Sequence, residues 1–348
     1  MADSEPSHQA TPPPPKAAGQ SSQDPTLEIV PDDDPHSGED PAFLTDSDAA
    51  SSTQSLTSSV MNYQYENGRR YHAYREGEYM MPNDDQEQDR LDLHHHIFRL
   101  AIGGALFRAP VDVTNARILD LGTGTGIWPI EVADEYPSAT VTGTDLSPIQ
   151  PRWVPPNCFF EVDDYESPWE FSKPFDFIHA RSLAGAVRDF PRFCARIKNN
   201  LKPGGWVEFV DFPAELFSDD ESRQNAPNIS EWCKLLDDAS QKFGKDLNVT
   251  SKYKQWLIDA GFRNVKEDVY KIPVNPWAKD RKMKEIGRYQ QVNMVEGMEA
   301  YSMALFTRVL GMTSEEVQVF FAGVRQELVD RSLHLYAKFY YVYGEKVE

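Results

Sequence analysis

Short apolar runs alternate with segments of helical period through the middle of the chain. Runs at 116–121, 139–145, 158–162, 175–179 and 206–211 read as strands, and the segments near 128–135 and 188–201 read as helices. Such alternation predicts a parallel sheet with helices on both faces. Upstream, Leu91, Ile97, Phe98 and Leu100 mark a long helix over about 84–107. Downstream, helices near 229–243 and 250–260 lead to Gly261, which is placed to end the second of them. A strand follows at 265–272, then a mostly helical stretch over 277–331. Its last helix opens on Thr313-Ser314-Glu315-Glu316, a capping box, and keeps helical spacing through Val317, Phe320, Phe321, Val324 and Leu328. The run from Phe339 to Tyr343 is strand-like. The expected fold is therefore α/β and doubly wound. It has a seven-stranded, mostly parallel sheet with a helical insert of about fifty residues before the last strand.

Composition separates the first sixty residues from the rest. They carry 9 Pro, 11 Ser and 11 Asp or Glu against Lys16, which is −10 of the chain's net −20. Residues 1–60 are expected to be a disordered acidic tail, because they cannot bury enough apolar surface to offset chain entropy. Residues 61–348 are expected to form one domain, with a ligand-binding core at 116–211 and a lid at 277–331. The net charge argues against a nucleic-acid partner. No apolar run is long enough for a bilayer, and the start of the chain lacks the basic and apolar regions of a signal peptide. Cys158, Cys194 and Cys233 have neither metal-ligand nor disulfide spacing. A reducing compartment, cytoplasmic or nuclear, is expected.

The most specific signal is Asp120-Leu-Gly122-Thr-Gly124-Thr-Gly126, a strand end, a glycine turn and the start of a helix. A dinucleotide loop would want its third glycine where Ile127 stands. Asp120 would repel a pyrophosphate but suits a ligand with a positive amino group. S-adenosylmethionine meets both conditions. Asp145 ends the next strand and can accept from ribose hydroxyls. Asp163 or Asp164 ends the one after and can accept from an adenine amino group, with spacing to Pro168 favouring Asp163. Lys202-Pro203-Gly204-Gly205 turns into the fifth strand.

These pieces resemble the class I S-adenosylmethionine-dependent methyltransferases over about 116–211. A closer resemblance, over nearly everything after residue 60, is to the fungal LaeA-like methyltransferases. It rests on Tyr65-Glu-Asn-Gly-Arg-Arg-Tyr-His72, on the segment from Met81 to Asp92, on Val162-Asp-Asp-Tyr-Glu166, and on Arg331-Ser-Leu-His334 and Val342-Tyr-Gly344. The resemblance implies a Rossmann-like sheet of six parallel strands and one antiparallel strand. It also implies a role in secondary metabolism, either as a biosynthetic enzyme or as a regulator.

A sulfonium donor needs alignment more than activation, so a general base is optional. His179 and Asp211, at strand ends bordering the crevice, are the candidates; a backbone-bonded histidine and a solvated carboxylate are the plain alternatives. Arg69 is a candidate for the donor's carboxylate and Arg181 for an acidic acceptor. Trp128 either faces the sulfonium or packs between helix and sheet. His94, His95 and His96 point about 100° apart on a helix and cannot converge on one ion, so no metal is expected. One of the three is expected to face inward and the others solvent. Lys279, Arg281, Lys282 and Lys284 form a basic cluster that reads as a helix face or a nuclear-import signal. Trp277, Tyr289, Tyr301 and Phe306 of the insert are expected to roof an apolar pocket for a small-molecule hydroxyl, amine or carboxylate. A protein partner is the expectation for the regulatory alternative.

Overall fold

The computed structural model describes residues 63–348. The acidic segment 1–60 lies outside the described residues. The chain enters through a hairpin, β1 (Gln64–Glu66) and β2 (Arg69–Tyr71), which the hydrophobic pattern does not reveal. Its signal is the Asn67-Gly68 pair, both at positive φ (50° and 77°), the dipeptide that tight hairpins favour. Helix α1 (Asp85–Ala101) follows, capped by Asp84 accepting from the Glu87 amide. It stops six residues short of the expected end because Gly103 and Gly104 turn the chain at φ 74° and 92°.

The central run then alternates as expected: β3 (Arg117–Leu121), α2 (Ile127–Glu135), β4 (Thr140–Asp145), β5 (Cys158–Val162), β6 (Phe175–Arg181), α3 (Phe190–Asn200) and β7 (Leu201–Asp211). Strand β7 begins at Leu201 rather than Trp206. The Lys202-to-Gly205 turn is absorbed as a bulge, with Phe175 opposite Leu201 and Phe177 opposite Trp206. After α4 (Pro227–Phe243) and α5 (Tyr253–Asp259) comes β8 (Arg263–Pro273). The insert follows as α6 (Arg281–Ala304), a π-helical turn and α7 (Ser314–Val329), and β9 (Tyr336–Glu345) closes the domain.

The seven strands lie in the order β5-β4-β3-β6-β7-β9-β8, with β9 antiparallel to both neighbours and the other pairings parallel. The winding reverses at β3, flanked by β4 and β6. That switch point opens a crevice at the carboxyl ends of the strands. One large core joins α1, α4, α6 and α7 to β7, β8 and β9 through residues such as Phe98, Trp232, Met298, Phe321 and Phe339. The insert therefore packs as part of the main body. Among the described residues, no helix is long and apolar enough to cross a membrane.

Glu208 lies fully buried in β7 and pins the chain before β3 to the sheet. Its Oε2 accepts from the Arg108 and Ala109 amides (2.7 and 2.6 Å), and its Oε1 has no partner. Burial pushes its carboxyl up to about 8, against the pull of the two amides. The folded chain thus keeps a proton that the unfolded chain has already lost. Stability from this group falls as pH rises from about 4.3, the ordinary glutamate value, toward the folded-state value. Glu208→Gln is expected to match the wild type in urea midpoint near the lower end of that window and to exceed it at the upper end. A difference that does not change with pH would refute the assignment.

Candidate cofactor loop and acceptor chamber

Gly122, Gly124 and Gly126 all adopt left-handed φ (68°, 59° and 82°), where a side chain is strained. Their surroundings differ. A Cβ on Gly122 would lie 2.7 Å from Leu183 Cδ2, and one on Gly126 would strike the Phe160 ring. A Cβ on Gly124 would meet only Leu91 Cδ1, at 3.6 Å. Gly122 and Gly126 are therefore needed for close packing as well as for backbone shape.

The strand-end acids are brought to this loop. Asp145 accepts from the Gly124 amide through Oδ2 (2.8 Å) and from the Ser147 amide through Oδ1 (2.9 Å). Burial pushes its carboxyl up to about 6. The Asp163 amide donates to the Asp145 carbonyl (3.0 Å), and Asp163 Oδ1 accepts from the Asp164 amide. Asp164 is more engaged: its oxygens accept from the Glu166 amide and the Ser167 hydroxyl, with Arg75 3.6 Å away. Asp120 accepts from Thr123 Oγ1 (2.6 Å) and faces His179 Nδ1 (2.7 Å). Both oxygens of Asp120 thus have partners inside the protein, and only remaining lone pairs face outward.

His179 is buried, stacked on Trp128 at 3.8 Å and 5°, and lies apart from the chamber described below. Burial lowers its pKa, with Asp120 acting in the opposite direction. Trp128 donates Nε1–H to the Leu106 carbonyl (2.7 Å), which is the packing role of its two readings. Arg181 lies over the Phe98 ring and beside His95 Nδ1 (3.1 Å). Arg69, on β2, grips Asp84 through Nε and Nη2 (2.6 and 2.9 Å). Its buried Nη1 has no partner.

Next to the loop lies a cavity of about 100 Å³. Leu91, Phe212, Trp232, Leu236 and Met294 give it an apolar lining, drawn from α1, the end of β7, α4 and α6. Leu91 stands between the two sites, because its Cδ1 would lie 3.6 Å from a Cβ placed on Gly124. Asp211 lines the cavity and accepts from the Ala184 and Phe212 amides and from Tyr253 Oη (2.8, 2.9 and 2.9 Å). Burial pushes its carboxyl up to about 6.

Two expectations are corrected here. Of the four insert aromatics, Tyr301 alone lines this cavity. Trp277 packs on Tyr336, Tyr289 meets His96, and Phe306 is deep in the core. The insert supplies Gln290, Met294 and Leu305 instead. Of the three histidines, His94 and His95 are both buried, because α1 is covered on the sheet side and on the α2 side. His95 Nε2 meets Glu131 of α2 at 2.8 Å, and burial lowers its pKa to about 4. His94 lines the cavity, and its Nε2 has no partner. Its spacing of three from Leu91 was the available sign that both share a face.

A glycine turn at the switch point of this sheet, with acids at the next two strand ends and a reversed penultimate strand in the spatial order, defines a class I methyltransferase using S-adenosylmethionine. A family model described as a methyltransferase domain matches residues 93–267. The chain is 42% identical over 300 residues to methyltransferase pytC of Aspergillus terreus, covering 86% of this chain and 93% of that protein. It is 40% identical over 278 residues to the secondary metabolism regulator LAE1 of Cochliobolus heterostrophus, covering 78% and 91%. It is 38% identical over 275 residues to the protein-methionine methyltransferase laeA of Emericella nidulans, covering 78% and 73%. The chain belongs to this methyltransferase family, in its LaeA-like group.

Proposed function

We propose that the chain methylates a small-molecule acceptor in fungal secondary-metabolite biosynthesis. The observation that carries this reading is the apolar-lined cavity beside the cofactor loop, with Leu91 between the two. The donor set suits S-adenosylmethionine. Asp145 is buried at a strand end for the ribose, Asp163 has an uncommitted oxygen for adenine, and Arg69, already paired with Asp84, keeps an unpartnered Nη1 for the donor's carboxylate. The backbone from Gly122 to Gly126 gives the close approach, and Asp120 holds the loop through Thr123. When bound, the donor supplies an electrophilic methyl group. The chain's part is to hold the acceptor in line and keep water out, and positioning of this kind is worth roughly 7–11 kcal/mol. The site of action is the cytoplasm or the nucleus.

A second reading is a LaeA-like regulator acting through a protein partner. It is favoured by the relatives named as regulators and by the acidic residues 1–60 as a contact surface. Deleting residues 1–60 separates the two. With methyl-labelled donor and an extract of fungal metabolites, the biosynthetic reading expects label in organic-extractable small molecules at an undiminished rate. Intact donor binding with no labelled small molecule would favour the regulator instead.

A further inference from the structure

The charged groups around the cavity are already answered. Arg90 donates to Glu87, Asn293 and Tyr301. Lys245 Nζ donates to the Glu78 carbonyl (2.6 Å) and pairs with Glu78 and Glu166 (3.3 and 3.2 Å). Asp211 accepts three hydrogen bonds. Glu215 stands exposed at the rim. An entering anion would meet no uncommitted counter-charge, and burying a bare charge is costly.

His94 is the exception among the polar groups lining this cavity. Its ring is held between Phe98, Phe212 and Phe339, at centroid distances of 4.4, 5.1 and 5.7 Å. Three basic groups bear on it: Arg90 and His95 from its own helix and Arg181 from β6. Phe212, just past β7, and Phe339 of β9 cover it, and Asp211 and Lys245 share the cavity. Burial first, and then those neighbours, push its pKa well below the ordinary value, so the imidazole is neutral. A neutral imidazole offers one N–H and one lone pair. A buried ring nitrogen without a partner is costly, and a ligand group that completes it is favoured.

We infer that the acceptor is a largely apolar ring compound bearing a hydroxyl and no anionic group, and that this hydroxyl donates a hydrogen bond to His94 Nε2, which positions its oxygen for transfer. This deepens the small-molecule reading above and rests on it. The O–H bond breaks with its electron pair left on oxygen, and the proton leaves to water. That oxygen bonds the methyl carbon as the S–C bond breaks, its pair staying with sulfur. The positive charge of the sulfonium leaves with that proton.

The test is calorimetry on the full chain saturated with S-adenosylhomocysteine, using 2-naphthol, 2-methoxynaphthalene and 2-naphthoate. The hydroxyl compound is expected to bind about tenfold more tightly than its methyl ether, as for one hydrogen bond, and the anion is expected to bind most weakly. His94→Phe preserves the ring packing. It should bring the naphthol-to-ether ratio to about one, leave S-adenosylhomocysteine binding unchanged, and slow transfer to 2-naphthol by about tenfold. An unchanged ratio in His94→Phe, tightest binding of the anion, or no binding of any naphthalene overturns the inference. The small-molecule reading fails separately, in the labelled-metabolite assay, which uses none of these probes.

Discussion

Asp145→Ala is expected to weaken S-adenosylmethionine binding by at least about a hundredfold, because two charge-assisted hydrogen bonds to ribose are each worth about 1.5–3 kcal/mol. The loss has a second source. Asp145 also holds the Gly124 and Ser147 amides, so its removal leaves two loop donors without partners. Asp145→Asn retains an oxygen for the Gly124 amide, and an intermediate loss is expected. Titration calorimetry reads both. The same experiment carries a sign in pH. Burial raises the Asp145 carboxyl to about 6, so binding should weaken as the pH falls through that value and the carboxylate is protonated. A glycine pair provides the internal control. Gly126→Ala would strike Phe160 and lower stability severely, whereas Gly124→Ala meets only Leu91 and costs just the strain of its left-handed φ, about 1–2 kcal/mol. Reduced binding in Gly124→Ala then reports cofactor contact rather than unfolding. Wild-type affinity in Asp145→Ala would sink the assignment of this loop.

Arg90→Met is expected to cost about 3–5 kcal/mol of stability by stranding a buried carboxylate. Arg90 and Glu87 are both almost fully buried and joined by two hydrogen bonds of 2.8 and 2.6 Å. Arg90 Nη1 also reaches Asn293 (2.7 Å) and Tyr301 (3.1 Å) of α6. Gly297 makes room for this crossing, since a Cβ there would lie 3.4 Å from Arg90 Cδ and 2.8 Å from the Tyr301 ring. The pair therefore ties α1 to α6 across the floor of the cavity. Replacing both partners, Glu87→Leu with Arg90→Met, removes the stranded charge and should recover at least half of the loss. Urea midpoints of the two single variants and the double variant give the coupling directly. Additive losses would mean that the two charges do not act as a pair.

The sheet was largely legible in advance because its signals are local. Strands β3 to β7 are short apolar runs separated by helical periods, and a parallel sheet follows from that alternation. Errors fell where local rules compete. Gly103 and Gly104 ended α1 early, and the Lys202-to-Gly205 turn became a bulge inside β7. The β1–β2 hairpin was missed because three-residue strands carry too few positions to show a period, although Asn67-Gly68 announced the turn. Asp145, Asp163 and the three loop glycines lie together as their spacing required. Asp211 ends β7 as expected, whereas β6 runs two residues past His179 to Arg181, and the two lie in separate surroundings: His179 is packed under Trp128 and bonded to Asp120, and Asp211 lines the cavity.

What the sequence determined by itself was the donor half of the protein: a parallel sheet, a glycine turn at its switch point and acids at successive strand ends. Each of these depends on residues a few positions apart, where backbone geometry and side-chain period decide the outcome. The cavity proposed for the acceptor was decided by the tertiary structure. It joins α1, β7, α4 and α6, and contacts such as Arg90 with Asn293 span 203 residues of chain. Which insert aromatic faces inward, which histidine loses its partner and which charges are already paired depend on how those distant helices pack. No local period records that packing.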